Sequence, residues 1–275
     1  MKLGVLIPLG DDIDAEFKKV HDLGFATCQL NGWDQSRFTP ETARQVVAAS
    51  RKHAVTITAF WCGWEGPAVW NFTEGPLTLG LVPGAFRYER LKMLVRGADF
   101  AVQIGTTDLI THVGFIPENP NEAEYKSLVA ALRYLARYCQ ERGLYFLFET
   151  GQETPVTLLR TIEDIRLPNL GINLDPANLI LYGKANPVDA LDVFGRYVRG
   201  VHAKDGLYPT TGSELGKEVP LGEGKVNFPA LVARLKSLGV PEALTIEREI
   251  SGEAQIRDIL MAKNLLESLI KDERP

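Results

Sequence analysis

The sequence predicts an α/β fold, a (β/α)8 TIM barrel spanning residues 1–275 as one domain, on three observations. Short β-branched and apolar runs alternate with longer stretches of helical period along the chain, the pattern of parallel strands joined by covering helices. The alternation resolves into eight βα units with no inserted domain and no low-complexity linker. The length of 275 residues is close to the roughly 250 typical of such barrels. An open dinucleotide-binding sheet would place a G-x-G-x-x-G turn after its first strand, and Gly10-Asp11-Asp12 stands there instead.

The units follow in order. Residues 5–9 read as a strand, 13–23 as its helix and 27–30 as the second strand. The next helix opens at Thr39-Pro40-Glu41, an N-cap threonine ahead of proline at the first helical position. It places Ala43, Val46, Val47, Ser50 and Ala54 on one face. The β-branched run 55–60 is the third strand; helix 86–102, strand 108–113 and helix 122–142 come next. That last helix carries Tyr125, Leu128, Val129, Leu132, Leu135, Ala136 and Cys139 at the i, i+3, i+4, i+7 spacing of a core-facing stripe. Gly143 closes it as a C′ glycine. Strand 144–150, helix 156–165, strand 170–175, a short helix 188–194, strand 198–204, helix 228–238, strand 243–247 and helix 254–270 complete the series.

Apolar content of 45% and charged content of 24% provide for a sizeable core. A net charge of −5 gives no reason to expect a nucleic-acid partner, which selects basic clusters; a small metabolite fits better. No run approaches the roughly 20 apolar residues of a membrane helix, and MKLGVLIPLG reads as a first strand rather than a secretory signal. Cys28, Cys62 and Cys139 are odd in number, far apart and without a CxxC pair. They are expected as buried small hydrophobes in a reducing compartment, not as disulfides or thiolate zinc ligands. A cytoplasmic protein is expected, with a homo-oligomer compatible.

Chemistry concentrates on Glu149, Asp175, His202 and Glu247, which close strand-like runs in FLFET, GINLDPAN, GVHAKD and LTIERE. Side chains alternate across a strand, so Leu147, Asn173, Gly200 and Thr245, two residues earlier, share the inward face, with Gly200 leaving room. The four end consecutive units, and neighbouring strands lie about 4.8 Å apart, so these side chains can meet around one ion. Converging carboxylates cost about several kcal/mol each unless compensated, and a divalent cation is the simplest compensation. Oxygen ligands with one imidazole and no thiolate suit one Mn²⁺, Mg²⁺, Co²⁺ or Fe²⁺, with Zn²⁺ possible. The competing structural role is that acidic residues ending barrel strands cap helices or pair with loop lysines.

Two connections are long. Residues 63–85 contain Trp64, Pro67, Trp70, Pro76 and Pro83; residues 206–225 contain Pro209, Gly212, Gly216, Pro220, Gly222 and Gly224. Loops of this length are uncommon unless they function. They follow strands three and seven and so lie on the C-terminal face where barrel sites are built.

The series ExxxE at Glu149, DPAN at Asp175 to Asn178, HxKD at His202 to Asp205, PLGEGKV at Pro220 to Val226 and IERE at Ile246 to Glu249 resembles the sugar-phosphate isomerase/epimerase-like TIM barrels of the xylose isomerase-like superfamily. The resemblance spans nearly the whole chain. It implies a divalent metal on Glu149, Asp175, His202 and Glu247 and proton transfer next to a carbonyl. Glu149 and Glu247 match the family's paired acid/base glutamates, which also ligate the metal. The implied activity is isomerisation or epimerisation of a keto-sugar, keto-polyol or sugar phosphate through an enediolate. Ketohexose 3-epimerases of the family carry histidine, glutamate and arginine where Asn178, Pro155 and Tyr208 stand here, so the resemblance does not extend to their hydroxyl contacts.

Trp61 and His112 are expected to wall the substrate pocket, and Asn178 and Lys204 to contact substrate, Lys204 sharing the parity of His202. Trp64 and Trp70 are candidate lid residues. Lys204, Lys217 and Lys225 fall where barrels often bind phosphate. Arg248, one past Glu247, should point off the axis and brace the site. His21 and His53, among Lys18, Lys19, Arg51 and Lys52, read as solvated surface. A lyase eliminating β to the carbonyl could use the same residues. A multi-metal abasic-site endonuclease is disfavoured by four histidines and the acidic charge. A barrel that binds sugar without chemistry is the non-enzymatic alternative.

Overall fold

The structure, a computed structural model, describes residues 1–271; the last four residues of the 1–275 span lie outside the described residues. The first half holds β1 (Lys2–Pro8), α1 (Ile13–Asp22), β2 (Thr27–Gly32), α2 (Pro40–His53), β3 (Thr56–Cys62), a single turn α3 (Gly75–Thr78), α4 (Gly84–Ile104), β4 (Asp108–Thr111) and α5 (Ala123–Gln140). There follow β5 (Tyr145–Glu149), α6 (Pro155–Ile165), β6 (Leu170–Leu174), α7 (Pro176–Leu181), α8 (Pro187–Phe194) and β7 (Val198–Ala203). A two-residue pair, β8 (Asp205–Gly206) and β9 (Glu218–Val219), precedes α9 (Phe228–Leu238), β10 (Ala243–Ile246) and α10 (Glu253–Lys271).

Eight strands close into a parallel barrel in the order β1-β10-β7-β6-β5-β4-β3-β2. The expected (β/α)8 fold is thus the fold observed. Local signals explain the elements. Thr39 caps α2 by accepting from the Thr42 amide, with Pro40 next to it. Thr154-Pro155 and Asn186-Pro187 repeat the device at α6 and α8. All seven residues of the predicted α5 stripe are buried, and Gly143 adopts φ +71° just beyond that helix. On α2 the core takes Ala43, Val46 and Ala49, while Ala54 leaves the expected face as a left-handed C-cap.

The main apolar core lies between the strands and the helices, holding Cys28, Leu30, Phe60, Phe146, Phe148, Leu174 and Val201. The barrel interior divides. Ala59, Trp61, Ile110 and Leu147 form a small apolar cluster on one side. Gln29, Asn173, His202 and Thr245 are buried polar residues of β2, β6, β7 and β10. The three cysteines are free and buried, as expected. No helix among the described residues is long and apolar enough to cross a membrane.

Between β3 and α4, and between β8 and β9, the two long loops rise over the C-terminal mouth. They meet where the Phe72 amide donates to the Ser213 carbonyl at 3.0 Å. The fully buried Arg90 of α4 fastens the first loop from beneath, donating to the carbonyls of Glu65, Pro67, Thr78 and Gly80. Asp205 fastens the second. Its two oxygens accept from the amides of Gly206, Gly222, Gly224 and Val226. The HxKD and PLGEGKV motifs are therefore two halves of one structural unit.

Candidate metal and proton-transfer site

Glu149 ends β5, Asp175 follows β6, His202 lies in β7 and Glu247 follows β10. These strands are consecutive in the barrel. One ligand atom from each falls within 4.8 Å of the others, so the structure brings the four predicted residues to one spot. Glu149, Asp175 and His202 are buried, and the Glu247 side chain is 12% exposed.

Each is held. The Trp61 indole N–H donates to Glu149 Oε2, while Glu149 Oε1 lies 2.8 Å from His202 Nδ1. Glu247 Oε2 lies 3.1 Å from the same nitrogen. Thr150 Oγ donates to the Asp175 carbonyl and accepts from the Asp175 amide, both at 2.8 Å, which keys the end of β6 to the end of β5. Asp175 Oδ1 accepts from the Asn178 amide at 2.8 Å and caps α7. The cap role weighed from sequence is therefore real, yet it uses one oxygen. Asp175 Oδ2 is buried with no hydrogen-bond donor among the described residues, and Lys204 Nζ at 3.4 Å gives it charge contact alone.

Burial raises the Glu149 carboxyl, but the charges of His202 and His112 outweigh it and hold it below its ordinary pKa. Burial likewise opposes ionisation of Glu247, which Lys204 and His202 overcome. Asp175 is pushed up to about 8 by burial, with Lys204 the main opposing charge. His202 resists its burial because Glu149 and Glu247 hold its proton, and stands well above the ordinary imidazole value. Protons thus occupy a site of three carboxylates. A hard divalent cation can replace them, and the orphaned Asp175 Oδ2 gives it an unshared oxygen. The donor set fits Mn²⁺, Mg²⁺, Co²⁺ or Fe²⁺, and Zn²⁺ less selectively.

A cavity of about 440 Å³ opens above Glu149 and Glu247, lined among others by Trp33, Trp61, Trp70, His112, Asn178 and Tyr182. Trp61, His112 and Asn178, three of the expected substrate contacts, thus line this cavity. His112 lies edge-on to Trp61 and Trp70, its Nε2 3.8 Å from Glu149 Oε2, and burial lowers its pKa. Trp64 is buried behind Trp33 and Trp61 and is not in the lining.

Lys204 is placed differently from expectation. Its buried Nζ stands 3.4 Å from Asp175 Oδ2, 3.4 Å from Glu247 Oε2 and 2.7 Å from Glu249 Oε1, outside the cavity lining. It is a counter-ion to the carboxylates, because three negative partners occupy the ammonium. His53 is also corrected: its side chain is 11% exposed and its Nε2 lies 3.0 Å from Asp14, so it is a tucked partner of α1. Arg248 braces as expected, bound to Glu218 at 3.0 Å and Asp258 at 2.8 Å. Sequence reading missed Trp33, Gln29 and Glu249. Gln29 left one signal, a polar side chain between the apolar Cys28 and Leu30 of its strand.

A family model described as Xylose isomerase-like TIM barrel matches residues 17–267. A solved xylose isomerase domain protein from Planctomyces limnophilus is 34% identical, with a TM-score of 0.93, covering 98% of this chain and 97% of that one. A D-tagatose 3-epimerase-like protein shares the fold at 20% identity and a TM-score of 0.74, covering 98% and 97%. A xylose isomerase-like TIM barrel protein from Mycobacterium smegmatis, solved in complex with magnesium, is 17% identical with a TM-score of 0.66, covering 94% and 88%. With the barrel order and the extent of these matches, the chain belongs to the xylose isomerase-like TIM barrel family.

Proposed function

We propose that this protein is a divalent-metal-dependent isomerase or epimerase of an unphosphorylated keto-sugar or keto-polyol, with Glu149 and Glu247 as its acid/base pair. The observation that carries this is the convergence of Glu149, Asp175, His202 and Glu247 beneath a concave, aromatic-walled cavity. The epimerase-like and magnesium-bound relatives support it. Held by the four residues, a divalent cation supplies Lewis-acid polarisation of the substrate carbonyl.

The remaining work falls to side chains. Glu149 and Glu247 come from the outer members of a four-strand run and flank His202 Nδ1 from two sides. One takes the proton from the carbon beside the carbonyl; the other returns it from the opposite side and inverts that centre. Trp61 fixes the orientation of the Glu149 carboxylate through its indole N–H. Lys204 and the dication together balance the charge of Glu149, Asp175 and Glu247. The rings of Trp33, Trp61 and Trp70 offer apolar faces for the C–H side of a sugar.

The absence of phosphate follows from charge. The one guanidinium or ammonium in the cavity lining among the described residues is Arg248, and Glu218 and Asp258 already engage it. Metal analysis of the purified protein, then a panel of keto-sugars and their phosphates in D₂O, tests the assignment. Solvent deuterium should enter an unphosphorylated substrate, and Glu149→Gln should lower exchange about 10²–10⁴-fold. Formation of an unsaturated product would move the assignment to elimination from the same proton abstraction. Full activity without metal, or turnover confined to phosphates, would sink it.

A further inference from the structure

We propose that Gln29 is the positioning residue for His202, setting which ring nitrogen faces the cation; the role rests on the metal-dependent function above. Gln29 stands on β2, 173 positions from His202 in the chain, yet its Oε1 lies 2.7 Å from His202 Nε2. Its own Nε2–H donates to Asn173 Oδ1 at 3.2 Å. All three side chains are buried, Gln29 at 2% and the others at 0% exposure. An amide oxygen accepts and cannot donate, so in this arrangement His202 keeps a proton on Nε2. A cation that displaces the second proton, the one Glu149 Oε1 and Glu247 Oε2 hold on Nδ1, would then meet the lone pair of that nitrogen. Orienting partners of this kind fix the tautomer and ring angle of a ligating histidine.

The backbone is shaped for these contacts. Strand register shifts at Cys28/Gln29 between β2 and β3, and again at Ile172/Asn173 between β6 and β7. Local irregularities of this type re-aim a side chain, and both fall at the residues that form the amide pair. Gly200 completes the fit, since a Cβ there would meet Asn173 Oδ1 at 2.4 Å and Gln29 Nε2 at 3.4 Å.

The wild-type protein labelled with ¹⁵N-histidine and loaded with Zn²⁺, a diamagnetic probe, should show His202 protonated on Nε2 and metal-bound through Nδ1. Gln29→Met keeps bulk without an acceptor and should weaken Mn²⁺ binding about 10–100-fold. Gln29→Glu restores an acceptor and should recover the affinity. A packing role alone would lower both variants' melting temperatures and leave the Mn²⁺ Kd unmoved. Nε2 found unprotonated in the loaded wild type, which needs no variant to fold, overturns the proposal, as does a wild-type Mn²⁺ Kd in Gln29→Met. Failure of the wild type to take up either metal would instead remove the metal-dependent function, and the role of Gln29 with it.

Discussion

Asp175 shows how one side chain serves fold and site together: Oδ1 caps α7 while Oδ2 faces the carboxylate cluster. Glu153, four residues past Glu149, is the contrasting case. It is buried, its Oε1 has no partner among the described residues, and burial pushes its pKa up to about 8. An acid whose folded pKa exceeds its unfolded value of about 4.3 binds its proton more tightly when folded. Stability should therefore fall as pH rises from about 4.3 to about 8, then level off. Glu153→Gln should remove this residue's share of that slope, leaving the share of Asp175, and stabilise the protein by about a few kcal/mol at pH 9, with little change at pH 4. Urea midpoints across that range check it. The four site residues were legible because each closes an apolar strand. The partnership of Gln29 and His202 was not, because it exists across the barrel once the sheet closes and no local pattern encodes it.

At the scale of elements, the loop between β3 and α4 depends on Arg90. This guanidinium has no carboxylate partner among the described residues; it directs its donors to four carbonyls and packs over Trp64 and Phe86. Burial lowers its pKa to about 10, so it stays charged at neutral pH. Arg90→Met would leave those carbonyls buried and unpaired, at about 1–3 kcal/mol each if none relaxes. We expect a loss of about 3 kcal/mol or more by urea titration, with new protease cleavage between residues 63 and 83. Capping threonines, proline at helix starts and the α5 stripe made most elements readable. The two-residue strands β8 and β9 and the single turn α3 were not, being too short to carry a period. Arg90 itself gave no sign in sequence, since nothing near it distinguishes it from the other cations of its helix.

At the scale of the molecule, protons and a cation compete for one set of oxygens. Asp175, with its pKa raised to about 8, is largely protonated at pH 6 and must release that proton to bind metal. Mn²⁺ affinity should therefore rise from pH 6 to pH 8. At 100 times its Kd the ion should stabilise the fold by about 2.7 kcal/mol, a rise in Tm of about 5–10 °C for a chain of this size. Chelation should reverse it, and a Tm indifferent to Mn²⁺ at both pH values would count against the site. The barrel was legible as a whole because alternation of strand and helix survives any local error in boundaries. The division of its interior into an apolar and a polar half was not, since it depends on register.

Asp205 bears on how such a barrel could be altered. Its carboxylate gathers four amides from residues 206 to 226, and a Cβ at Gly224 would stand 2.0 Å from its Oδ1. The loop over the mouth is consequently a cassette whose two ends are gathered on one carboxylate. A graft from a relative should keep its shape only when the aspartate, the three glycines and the valine amide travel together. A graft that begins after Asp205, or ends before Gly224, would carry new side chains without the frame that aims them.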